Sequence, residues 1–207
     1  MQQNLFIALE GIDGSGKSTQ VKLLAERLLQ KGHKVYTTFE PTDNPIGAMI
    51  RSILQHETKA DEPTIAALFA ADRLDHLLNK KNGILKMLAE GYTVITDRYY
   101  LSSYAYHSVH VPMDWVIASN AYSAHLRRPD VNIYIDMDAA ISMQRLAANR
   151  HSTDLYETLE NLQKVKANYT KAFELVQDKE HIAIVDGNSE VSTVANDIWQ
   201  VVAPLLR

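Results

Sequence analysis

The sequence predicts an α/β domain built on a five-stranded parallel sheet with helices on both faces and a short lid. Three observations carry that prediction. Five short apolar runs recur along the 207 residues, helical patterns separate them, and a glycine-rich G-x-x-x-x-G-K-S segment joins the first run to the first helical pattern. Strands that alternate with helices lie parallel, because each helix returns the chain to the same end of the sheet. A hydrophobic content of 46% over this length suffices for one substantial core. No glycine-, proline- or serine-rich linker, low-complexity stretch or repeat divides the chain, so residues 1–207 are read as one domain.

The first strand is the run Leu5–Leu9, and the loop Gly11–Ser18 follows it. A helix comes next, with Val21, Leu23, Leu24, Ala25, Leu28 and Leu29 spaced for one buried face. Lys34–Phe39 forms the second strand, helices follow near Thr64–Leu78 and Ile84–Ala89, and Tyr92–Thr96 forms the third strand. A helix near Pro112–Leu126 leads to the fourth strand, Val131–Asp136, and helices near Ala139–Asn149 and Tyr156–Val176 lead to the fifth, His181–Val185. Val191–Leu205 closes the chain as a helix, and it and the long helix from Tyr156 read as packing elements. Ligands of such sheets bind beyond the carboxyl ends of the strands, so the residues just after each run are the ones to read.

The loop Gly11-Ile12-Asp13-Gly14-Ser15-Gly16-Lys17-Ser18 is a complete phosphate loop in the context the motif needs, strand before and helix after. Its backbone N–H groups and the helix start converge on a polyphosphate, which places ATP phosphates against Gly11, Gly14, Ser15, Gly16, Lys17, Ser18 and Thr19. Lys17 neutralises the β- and γ-phosphates, and the Ser18 hydroxyl joins a Mg²⁺ shell. The fold expected is therefore that of the P-loop NTPases. Asp97 closes the third strand where a carboxylate holds the same metal through water; a cap on the following helix is the competing reading. Arg98 beside it suits a second phosphate, or else a surface ion pair. Phe69 and Arg73 lie one helical turn apart and offer a stacking ring beside a planar donor fork, the shape of a nucleobase site. Taken singly, a core phenylalanine and a solvated arginine are the commoner fates of such residues.

Composition excludes several classes. A net charge of −4, with no basic run, argues against a nucleic-acid surface, and the absence of cysteine removes disulfides, thiol nucleophiles and thiolate zinc sites. The eight histidines lack metal-ligand spacing. A first strand starting by Leu5 leaves no signal peptide, and no apolar stretch approaches membrane-spanning length, so a soluble, cytoplasmic protein is expected.

Five segments together resemble the thymidylate kinase family: Glu10–Gln20, Glu40-Pro41, Leu68–Arg73, Asp97-Arg98-Tyr99-x-x-Ser102-Ser103-x-Ala105-Tyr106, and Arg128-Pro129-Asp130. The resemblance runs from about Leu5 to the C-terminus in the family's order and spacing. It implies transfer of the ATP γ-phosphoryl group to dTMP, giving dTDP and ADP, by a homodimer. It also implies roles: Asp13 at the acceptor's sugar hydroxyl, Phe69 stacked on thymine, Arg73 donating to a thymine carbonyl, and Arg98 on the acceptor phosphate. Ser102, Ser103 and Tyr106 would line the base and deoxyribose, with the tyrosine crowding out a 2′-hydroxyl. Glu40, Pro41 and Arg51 would serve the acceptor-phosphate loop, and Asp186-Gly187-Asn188-Ser189 would flank the donor adenine.

Departures from the family pattern concentrate at the lid, about residues 145–157. Leu155 stands where bacterial-type relatives usually carry an arginine, and Gly14 stands where others place one inside the loop. Arg150 is the candidate for the missing catalytic cation, with Arg145 second. Phe39 replaces an arginine common in relatives, and His107 and Ser108 replace glutamine and glycine; His107 is read either as a base contact or as a structural histidine. The alternatives are a kinase for another nucleoside monophosphate and a weak nucleotide-binding regulatory module. A GTP switch is disfavoured because Asn79-Lys80-Lys81-Asn82 lacks the aspartate of the guanine signature.

Overall fold

A computed structural model of the chain describes residues 4–149 and 155–206. All five expected strands are present: β1 (Phe6–Glu10), β2 (Val35–Phe39), β3 (Thr93–Asp97), β4 (Val131–Asp136) and β5 (Ile182–Asp186). They form one parallel sheet in the order β2-β3-β1-β4-β5. Every strand except β2 and β4 ends one residue later than the apolar run that announced it. The reason is that the ladder continues through polar residues: Glu10 pairs with Tyr134 and Asp97 with Phe39 although neither is apolar.

The helices are α1 (Lys17–Gln30), α2 (Pro45–Leu54), α3 (Glu62–Leu78), α4 (Ile84–Ala89), α5 (Tyr100–Tyr106), α6 (Met113–Leu126), α7 (Ala139–Asn149), α8 (Leu159–Val176) and α9 (Val191–Val202). Two of these, α2 and α5, go beyond the sequence reading. All seven residues of α5 are buried, so it carries no amphipathic stripe to reveal it. Helix α2 is short, opens on Pro45 and buries only Gly47, Ile50 and Ile53.

Two apolar layers sandwich the sheet, as a parallel sheet requires. Leu5, Ile7 and Leu9 of the first strand region face α1 and α9 through Leu24, Leu28, Ile198 and Val202. Phe6 and Ala8 point the other way, into a layer with Tyr99, Tyr100, Val165 and Tyr169. The period-two alternation of one strand thus feeds both cores. Among the described residues no helix is long and apolar enough to cross a membrane.

Candidate functional site

Strands β1, β3, β4 and β5 end on Glu10, Asp97, Asp136 and Asp186, so the carboxyl rim of the sheet is a row of acids against which the loops assemble. Between β1 and α1 the chain makes the phosphate loop. Gly11 has φ +146°, and a Cβ there would fall 2.8 Å from Ser15 Oγ and 2.9 Å from the Ile135 carbonyl oxygen. Gly16 differs: a Cβ would meet nothing within 4 Å, and the requirement is its φ of +91° at the left-handed N-cap of α1. As a glycine, Gly16 brings no capping side chain to that helix, which leaves its first N–H groups to a ligand.

Lys17 folds back over the loop and donates to the carbonyls of Gly11 (3.1 Å) and Ile12 (2.9 Å). Burial, helped by repulsion from Arg98, pushes its ammonium down to about 8. Ser18 Oγ donates to Asp97 Oδ2 at 2.7 Å, so the two expected metal-side residues already meet. Residues 13–19, Asp97, Arg145, Gly187 and Ser189 line a cleft of about 650 Å³, whereas Gly11, also expected at the ATP phosphates, is buried and is not part of that lining. Arg150 lies outside the described residues.

A second cleft, of about 260 Å³, opens beside the first. Asp13, Glu40, Pro41, Arg51, Phe69, Arg73, Arg98, Ser102, Ser103, Tyr106 and His107 all line it, so the structure gathers every acceptor-side residue singled out in the sequence. Asp13, Phe39, Glu40 and Arg98 line both clefts and form their common wall. Arg98 is the centre of that wall. Its Nη2 reaches Asp13 Oδ1 at 2.5 Å and the Tyr106 hydroxyl at 3.1 Å, and its Nη1 donates to Ser102 Oγ at 3.0 Å. Its backbone is left-handed, with φ +73°, held by an N–H bond to the Leu9 carbonyl and by Thr96 Oγ1 donating to its own carbonyl. Burial alone would raise the Asp13 carboxyl, but Arg98, Lys17 and the Tyr106 hydroxyl hold it below the usual carboxylate range.

Arg73 lies deeper and is only 1% exposed. Glu40 Oε2 accepts from its Nε (2.9 Å) and Nη2 (2.6 Å), while Glu40 Oε1 meets His76 Nδ1 at 3.0 Å and His76 Nε2 meets Thr38 Oγ1 at 2.6 Å. Glu40 is therefore fixed at both oxygens. Arg51 lines the cleft while its guanidinium holds the carbonyls of Pro41 and Thr42, so it braces the loop that carries Glu40. The ring of Phe69 lies 4.8 Å from that of His107, tilted by 52°. Burial, then repulsion from Arg73, pushes His107 down to about 3, so its imidazole is neutral near pH 7, and its Nδ1 has no partner among the described residues.

Two residues at the end of the expected lid segment have no individual role in the sequence reading. Tyr156 and Glu157 also line the second cleft, and Tyr156 donates from its hydroxyl to Glu62 Oε2 at 2.7 Å. The helical pattern read from Tyr156 begins only at Leu159, where Thr158 caps α8 by accepting from the Asn161 N–H, so both residues precede the helix. Glu10 is fully buried, accepts from Tyr99 N–H, Ser102 Oγ and Tyr169 Oη, and thereby seats α5 beneath the cleft. Burial outweighs those bonds and pushes its carboxyl up to about 6.

The model of the family described as thymidylate kinase matches residues 9–198. Similar proteins include one from Pyrococcus horikoshii, 39% identical over 95% of each chain. Another, from Methanobrevibacter smithii, is 37% identical over 98% of this chain and 96% of its own. A third, from Thermococcus kodakarensis, is 35% identical over 98% of each. All three carry the name "Probable thymidylate kinase".

Proposed function

The chain belongs to the thymidylate kinase family and is an ATP-dependent phosphotransferase acting on dTMP; we propose that the transfer takes place across the wall shared by its two clefts. One observation carries this division. The cleft over the phosphate loop and the cleft holding Phe69 and Arg73 meet at Asp13 and Arg98. A triphosphate anchored at the loop and a monophosphate anchored by its base then present their phosphates to each other at that wall.

In this reading an oxygen of the dTMP phosphate attacks the γ-phosphorus in line, the bond to the β-bridging oxygen breaks, and ADP leaves. No side chain forms a covalent bond. The work is to hold two anions together and to balance the charge spread over the transferring group. Lys17 faces the donor phosphates, Arg98 the acceptor phosphate, and the deeper Phe69 and Arg73 hold the base. The hard oxygens of Ser18 and Asp97, 2.7 Å apart at the rim of the loop, suit Mg²⁺. When bound, that ion offsets charge on the β- and γ-phosphates. The segment 145–157 serves as the lid, with Arg150 as its transition-state cation. The molecule acts as a cytoplasmic homodimer, and Trp115 and Tyr122, exposed seven residues apart on one face of α6, suit cover by a second copy.

Acceptor-dependent ADP release with Mg²⁺-ATP and dTMP, dUMP, dCMP, dGMP, AMP or thymidine tests the assignment. A preference for dTMP is expected, with dUMP accepted less well, because a methyl group in an apolar pocket distinguishes by only about 1–3 kcal/mol. Arg150→Ala is expected to lose about 10³- to 10⁵-fold in kcat if it supplies the transition-state charge. An unchanged Arg150→Ala rate would move that role to another cation, and preference for another acceptor would mean that the base pocket is misread.

A further inference from the structure

Arg73 carries five N–H donors, and among the described residues its surroundings consume all but one. Glu40 takes Nε–H and one Nη2–H, while both hydrogens of Nη1 are taken, one by Ser103 Oγ at 3.0 Å and the other by Asn120 Oδ1 at 2.5 Å. The remaining donor, the second hydrogen of Nη2, belongs to a guanidinium that lines the acceptor cleft. Asn120 itself is wholly buried in α6 and lines neither cleft. Its amide orientation is set from behind, because Nδ2 donates to the Val116 carbonyl at 2.9 Å and to Ser119 Oγ at 3.3 Å. Only Oδ1 can then face Arg73.

We propose that Asn120 is a positioning residue for acceptor recognition: by occupying Nη1 of Arg73 it fixes the plane of the guanidinium and aims the one free N–H at a ring carbonyl of the pyrimidine. This rests on the reading of the cleft as the dTMP site. Without the amide, Nη1–H has an unoccupied direction and the rigid planar fork can turn as a whole about the Cδ–Nε bond, so the free donor loses its aim. A buried asparagine that only served packing would have no such connection to the chemistry of the bound base. The clamp joins three elements, the end of β2 through Glu40, α5 through Ser103 and α6 through Asn120, so the guanidinium is held from independent directions.

The test is steady-state ADP release by the parent, Asn120→Ala and Asn120→Asp, with dTMP and with two dTMP analogues, one lacking the 2-carbonyl and one the 4-carbonyl. Removing a charge-assisted hydrogen bond corresponds to about a 10- to 100-fold change. Asn120→Ala is expected to raise the KM for dTMP by that factor and to leave the KM for ATP unchanged. Asn120→Asp, which keeps the accepting oxygen, is expected to restore most of the dTMP affinity. With the analogue that lacks the carbonyl read by Arg73, the parent is already weak and Asn120→Ala adds no further loss, the non-additivity of two groups acting as a unit. An equal loss on dTMP and both analogues, a rise in both KM values together, or a parent indifferent to the loss of each carbonyl in turn, the 2-carbonyl and the 4-carbonyl alike, would overturn the proposal. A parent that turns over no dTMP would instead overturn the functional reading beneath it. Should Asn120→Ala fail to fold, the Asn120→Asp comparison stands alone: because that variant also loses the Nδ2 donor to the Val116 carbonyl, the selectivity of any loss is read, and a loss that falls equally on dTMP and both analogues overturns the role of Oδ1.

Discussion

Arg98→Ala is expected to lower kcat/KM for dTMP by about 10²- to 10³-fold, the range found when one preorganised charge-stabilising donor is removed. The side chain stands where the two clefts meet, and its guanidinium already bonds Asp13, Tyr106 and Ser102. The loss therefore has two sources: a missing cation facing the phosphates, and a wall whose remaining members relax. Asp13, left without its partner, also weighs on the fold. The pair is partly exposed, which limits that effect to on the order of 1–2 kcal/mol. Rates at saturating and limiting dTMP, beside a denaturant midpoint, separate the contributions. A variant that keeps its rate while losing stability would reduce Arg98 to a structural ion pair.

Lys17→Ala is expected to reduce kcat by about 10²- to 10³-fold while leaving the ligand-free protein no less stable at pH 7. The second half follows from its titration. Burial lowers the ammonium from 10.5 to about 8, so below about pH 8 the folded protein holds a charge that would be better solvated in the unfolded chain. That disadvantage is on the order of 3 kcal/mol. Between about pH 8 and 10.5 the folded state sheds the proton and the unfolded state keeps it, so this group's contribution to stability rises with pH. ATP affinity runs the other way. It weakens as pH rises through about 8, and calorimetry near that pH, in buffers of different ionisation enthalpy, is expected to show proton uptake on ATP binding. No uptake would mean that the lysine keeps its proton throughout.

The parts of the site legible in the sequence were those whose chemistry fixes both residue type and spacing. Lys17 and Ser18 follow from the loop, and Asp97 from its place at the end of an apolar run. Phe69 and Arg73 were legible as a pair because three and four residues along a helix make neighbours. Tyr156 and Glu157 were legible only as the end of the lid segment, because periodicity does not encode that a stretch so distant in sequence lines one cleft with Asp13 and Arg98. Asn120 was hidden for a related reason: a polar residue inside an otherwise apolar helix pattern gives no hint of the arginine it meets from another helix. Helix α5 escaped notice because it is buried all round, and Glu10, noted only as part of a motif, was given no role because strand β1 runs one residue past its apolar run.

The left-handed backbone at Arg98 sets the needs of the fold against those of the reaction. At φ +73° glycine is at ease, whereas any side chain with a Cβ is strained by roughly 1–2 kcal/mol. Arg98→Gly is therefore expected to be as inactive as Arg98→Ala yet to unfold at higher denaturant, with the difference between the two isolating backbone strain from the lost charge. Mutational drift tested only for folding would carry this position toward glycine. An arginine there marks a residue retained against conformational preference, and a selection for stability without a selection for turnover would erase it among the first.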